Sequence, residues 1–71
     1  MKGWEKVFDT DKRYQAEIVK DVLMEKGITA VVINKKDSSY LVFGRCEVHV
    51  AREDVLRAIN MIENDIKFEE I

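Results

Sequence analysis

Residues 11–34 read DKRYQAEIVKDVLMEKGITAVVIN, and this stretch sets the architecture of the chain. It opens with an amphipathic run. Tyr14, Ile18 and Val22 recur at i, i+4 and i+8. Ala16, Val19 and Leu23 widen the apolar stripe to about half of the circumference at ~100° per residue. Lys12, Arg13, Glu17, Lys20 and Asp21 fall mostly on the other side. The pattern predicts a helix. Thr10 or Asp11 is placed to cap its start, since a side-chain oxygen there can accept from an orphan N–H. Gly27 suits the position just past its end, where a positive φ is cheap only for glycine. Residues 28–33, ITAVVI, follow as a strand that is apolar except at Thr29, so both of its faces can be covered.

Working outward, residues 4–9 read as an earlier strand, with Trp4, Val7 and Phe8 as its apolar members. Strand, helix and strand make a parallel βαβ unit, with the helix as a right-handed crossover. Residues 34–39, NKKDSS, are a polar connection. Residues 45–50 alternate: Cys46, Val48 and Val50 point one way, and Arg45, Glu47 and His49 the other. A second helix starts near Arg52, with Val55, Ala58, Ile59, Ile62 and Ile66 in a narrow stripe expected to be core. The order is βαββα, with residues 67–71 as a tail or a short fourth strand. The third strand is expected between the first two. That plan is an α+β fold of the ferredoxin-like, split βαβ kind: an antiparallel sheet with two helices on one face.

The chain has 71 residues, which predicts a single domain with its core in about residues 4–66. A domain this small is short of buried surface, and one cysteine, Cys46, offers neither an internal disulfide nor a cysteine-rich zinc site. Association with another chain is the remaining source of stability. Fourteen acidic residues against twelve basic ones argue against a nucleic-acid footprint. The start, MKGWEKVFDT, lacks the apolar region of a signal peptide, and no run approaches the ~20 apolar residues of a membrane span. The expected location is the cytoplasm, with no membrane or nucleic acid as partner.

Candidate chemistry is sparse. Cys46 and His49 stand three apart on one strand, so they point to opposite faces and cannot share a metal or form a nucleophile pair. Glu53 and Asp54 suit the opening turn of a helix, where the macrodipole favours negative charge. Neither a catalytic residue nor a cofactor is expected. Two surfaces are candidates for binding. Lys35, Lys36, Ser38, Ser39 and Tyr40 could hold an anion or a nucleotide, or could simply form a turn. Phe8, Val31 and Ile33 are expected on the sheet face that the helices leave open, among the set Trp4, Lys6, Phe8, Val31, Ile33 and His49. A copper chaperone would need a CxxC near the first helix, and an RNA-recognition motif would need stacking aromatics on RCEVHV; both are lacking.

One resemblance adds to this reading. Val7-Phe8 before an acidic turn, residues 15–19 (QAEIV), residues 27–30 (GITA), Asn34 and residues 47–51 (EVHVA) resemble a family of small prokaryotic domains of unknown function assigned to signal transduction and grouped with PII-like ferredoxin folds. The likeness covers about residues 5–62. The family usually has proline near Ala51, and this chain departs there, at a position where proline merely suits helix initiation. The resemblance implies a regulatory or interaction role and supplies no catalytic residues. The long nucleotide-binding loop of PII proteins is lacking. The sequence thus points to a non-enzymatic interaction or regulatory module, partnered by a second copy (a dimer or larger homo-oligomer) or by another protein. The alternative is a small-ligand sensor using residues 35–40.

Overall fold

A computed structural model describes residues 3–35 and 45–66. Strand β1 spans Trp4–Thr10, helix α1 Arg13–Glu25, strand β2 Ala30–Lys35 and strand β3 Arg45–Ala51. A short 3-10 turn, Arg52–Asp54, leads into helix α2, Val55–Asp65. The three strands form one antiparallel sheet in the order β1-β3-β2, so the third strand does lie between the first two. The architecture is α+β.

The end of α1 is held as the sequence reads it, whereas its N-cap is Lys12 rather than Thr10 or Asp11. At its start the Thr10 hydroxyl is buried and used twice. It accepts from the Lys12 N–H at 3.0 Å and donates to Gln15 Oε1 at 2.9 Å. Thr10 therefore shapes the turn from two residues ahead of the N-cap, Lys12, whose own side chain makes no cap. At its end the Gly27 N–H donates to the Met24 carbonyl at 3.1 Å, and the Ile28 N–H to the Leu23 carbonyl at 2.9 Å. These are the paired bonds of a Schellman motif, with Gly27 at φ +87°. Leu23 and Ile28, which flank it, are both fully buried.

The core is a single cluster. Ala16, Val19 and Leu23 of α1 and Ala58 of α2 pack with Ile28, Ala30, Cys46, Val48, Val50 and Ile66. The inward residues of β3 meet residues of both helices in that cluster, so both helices cover one face of the sheet.

Two details of the stripes correct the periodicity. The seam of α1 that meets the sheet is Ala16, Val19 and Leu23, while Tyr14 is 58% and Ile18 41% exposed. A stripe half a circumference wide cannot all face a flat sheet. The seam centred near Ala16 takes the contact, and the Tyr14 flank is left outside. On α2, Ala58 is buried and Val55 and Ile62 are partly buried against the core, but Ile59 is 37% exposed. The sheet is only three strands wide among the described residues, and α2 packs chiefly over β1, its outer strand. No described strand lies over the flank carrying Ile59; residues 67–71, the expected tail or fourth strand, lie outside the described residues.

A third correction concerns β1. Lys6 stands opposite His49, and Phe8 opposite Val48, so Val7 is an extra residue in a β-bulge. Side chains alternate with period two, and one inserted residue moves every later side chain to the other face. Phe8 consequently shares the helix-covered face with Val48 and Val32, not the open face expected for it. The bulge has a packing reason. Val7 and Phe8 are consecutive and apolar, and strict alternation would turn one of them away from the core. With the bulge, both pack against it.

Two stability outcomes follow. Gly27→Ala should cost about 1–2 kcal/mol from the left-handed backbone alone, because a Cβ there meets no atom within 4 Å. A D-alanine at the same position should be tolerated. Leu23→Ala should cost about 2–5 kcal/mol, while Ile59→Ala should cost less than about 2 kcal/mol, because water already reaches its side chain. Urea midpoints compare them, and equal shifts for Leu23 and Ile59 would contradict the packing described.

Candidate functional site

The face of the sheet away from the helices is built in rows by the strand register. Trp4 stands beside Ala51. Lys6, His49 and Val31 make the next row, and Asp9, Glu47 and Ile33 the one after. Arg45 ends the β3 column. One side of this face is polar and the other apolar, because β1 and β3 supply the charged residues while β2 supplies Val31 and Ile33.

The polar side is an ion-pair ladder. Asp9 Oδ1 accepts from an Arg45 terminal nitrogen at 2.8 Å, and Asp9 Oδ2 accepts from Lys6 Nζ at 3.1 Å. The hydrogen bond from Arg45 holds the Asp9 carboxyl below its ordinary value of 3.8, and the bond from Lys6 adds to this. The same bond raises the Arg45 guanidinium. Lys6 Nζ also lies 3.9 Å from Glu47 Oε2. One residue pair further along, His49 Nε2 is 2.9 Å from Glu47 Oε1, and both side chains are nearly covered, at 14% and 13% exposure. A carboxylate only accepts, so Nε2 carries the proton in that bond. His49 Nδ1 is buried and has no hydrogen-bond partner among the described residues. In the neutral ring that atom is a bare lone pair.

The apolar side is shorter. Val31 and Ile33 are half-buried on the outer column of the face. Phe8, the third member of the expected association surface, is on the other side of the sheet for the reason given above. In the polar loop, Lys35 ends β2, and Lys36, Ser38, Ser39 and Tyr40 lie outside the described residues. Cys46 is buried among the helices, and its thiol donates to Asn34 Oδ1 at 3.2 Å. The sheet therefore stands between Cys46 and His49. No group of three or more His, Cys, Asp or Glu among the described residues could hold a metal ion. No described helix is long and apolar enough to cross a membrane.

A shallow cleft of about 580 Å³ opens at one end of the sheet, lined by Gly3, Trp4, Ala51, Arg52 and Glu53. The Arg52 N–H donates to the Gly3 carbonyl at 3.0 Å across its floor.

Alternation on β3 marked Arg45, Glu47 and His49 as one face in the sequence. Their partners were not legible. Asp9 reaches Arg45 only because the Val7 bulge turns Asp9 to that side; unbulged alternation would send it toward the helices. Comparison with family models, characterised proteins and solved structures finds no match to this chain.

The Asp9 bridge should be visible in pH dependence. Its folded-state pKa is lowered, so the stability it adds is present above the ordinary value and is lost as pH falls through the folded one. The urea midpoints of the parent and of Arg45→Ala should differ near neutral pH and converge as pH falls through the lowered Asp9 value. The gap should be small and should shrink in about 1 M salt, since both groups meet solvent. A constant gap from neutral to acid would show that Arg45 acts by packing alone.

Proposed function

We propose that this chain is a ferredoxin-like, non-enzymatic interaction or regulatory module of the signal-transducing kind, acting in the cytoplasm and associating with a second copy of itself. The sheet face that no described helix covers carries the reading. It sets the apolar column Val31 and Ile33 beside a ladder whose charges already answer one another. Acid and base groups bound to each other in this way are suited to a fixed recognition surface rather than to moving protons on a substrate. The strand order β1-β3-β2, with α1 crossing between the outer strands, supports the ferredoxin-like assignment.

The physical motive is size. A chain of 71 residues buries only about 60% of its unfolded surface, and its stability is correspondingly marginal. Apolar residues left half-covered on an open face can gain their missing burial in a partner.

Light scattering over a concentration series is the test. Association is expected below about millimolar concentration, corresponding to at least roughly 4 kcal/mol of binding. A clean monomer throughout would overturn the reading. A thermal-shift screen with nucleotides and small anions runs beside it. A rise with one of them that is lost in Lys35→Ala with Lys36→Ala would favour a ligand sensor instead.

A further inference from the structure

We propose that the second copy docks on the outer edge of β2, antiparallel about Val32, so that the two sheets become one continuous sheet. This rests on the self-association reading and names its surface.

The two outer strands are unequal. β1 is bulged at Val7 and carries Glu5, Lys6 and Asp9, and bulges and charges are the devices that blunt a sheet edge. β2 has no bulge, and its one charged residue, Lys35, stands at its very end. It pairs with β3 in unbroken register from Ala30 to Lys35, and residues 30–34 (AVVIN) bear no charge. No strand lies on its outer side among the described residues. An unbulged edge whose centre is uncharged is a template for another strand.

The edge is also complementary to itself. Antiparallel pairing centred on Val32 sets Val31 against Ile33 of the second copy, and Ile33 against its Val31. Val32 meets Val32, and Ala30 meets Asn34. Lys35 falls opposite Thr29, so no like charges oppose one another. Both Val31–Ile33 pairs lie on the uncovered face, where cross-strand apolar pairs each contribute. Stacking the two open faces is the competing arrangement, and it is short of area. Three strands at ~4.8 Å and seven residues at ~3.3 Å give a face on the order of 300 Å². A stable interface takes about 800 Å² per partner. Edge pairing draws instead on main-chain hydrogen bonds, which supply affinity with less buried area.

The experiment uses charge exchange in the whole chain. One variant carries Val31→Lys with Ile33→Lys, and the other Val31→Glu with Ile33→Glu. Both sites face away from the helices, and circular dichroism checks that each variant is folded. In light scattering each variant alone should associate at least tenfold more weakly than the parent. An equimolar mixture should recover the dimer, because every introduced lysine then faces an introduced glutamate. Arg57→Ala, at an exposed position on α2, should leave association unchanged. On the unmodified chain, hydrogen exchange at β2 amides should slow as concentration rises, while β1 amides stay constant. A parent that dimerises with β2 exchange unchanged, or variants that dimerise as tightly as the parent, would overturn the edge assignment and leave self-association standing. A monomeric parent would overturn both.

Discussion

The pairing of β3 with a neighbour on each side is the constraint on which the rest of this structure depends. β3 is the middle strand, so its alternation defines both faces of the sheet at once. Cys46, Val48 and Val50 go to the helices, and Arg45, Glu47 and His49 go the other way. Every residue of β1 and β2 then inherits a face from its partner on β3. The Val7 bulge is the one interruption, and its effect reaches both sides. It delivers Phe8 to the core and Asp9 to Arg45. A single inserted residue thus exchanges an aromatic for a carboxylate on the open face.

The energies of the two faces differ in kind. The covered face is held by apolar burial, where loss of one large side chain costs a sizeable part of a marginal total. The open face is held by ion pairs that mostly meet solvent and contribute little each. Their value lies in order. Asp9 takes hydrogen bonds from two cations on two strands, which fixes β1 to β3 on the side that the helices do not reach. The His49–Glu47 bond is less exposed and belongs to the centre of that face.

This division gives the protein a stable side and a presentable side. The helices occupy the first, and the Thr10 turn and the Gly27 C-terminal cap bound α1 at its two ends. The second is left with charges satisfied internally and with a narrow apolar column at the β2 edge. A partner approaching it has no isolated charge on Asp9, Glu47 or Lys6 to desolvate, because each already has an opposite charge beside it.

What the sequence determined by itself is local and periodic. Helix α1 was legible in its apolar recurrence, its end in Gly27, and the faces of β3 in alternating residues. Strand order followed as well, because a βαβ crossover and a hairpin leave one simple place for the third strand. The tertiary structure decided the rest. A half-circumference stripe does not say which part meets the sheet, and packing selected Ala16, Val19 and Leu23 over Tyr14 and Ile18. A narrow stripe on α2 does not say that Ile59 is left part-exposed while Ala58 is buried. Nothing in the order Val7-Phe8-Asp9 marks a bulge, since a bulge is a relation between two strands. For that reason alternation alone places Phe8 on the wrong face and does not reveal the Asp9–Arg45 bridge. Periodicity is a property of one segment, whereas register depends on contacts between segments far apart in the chain.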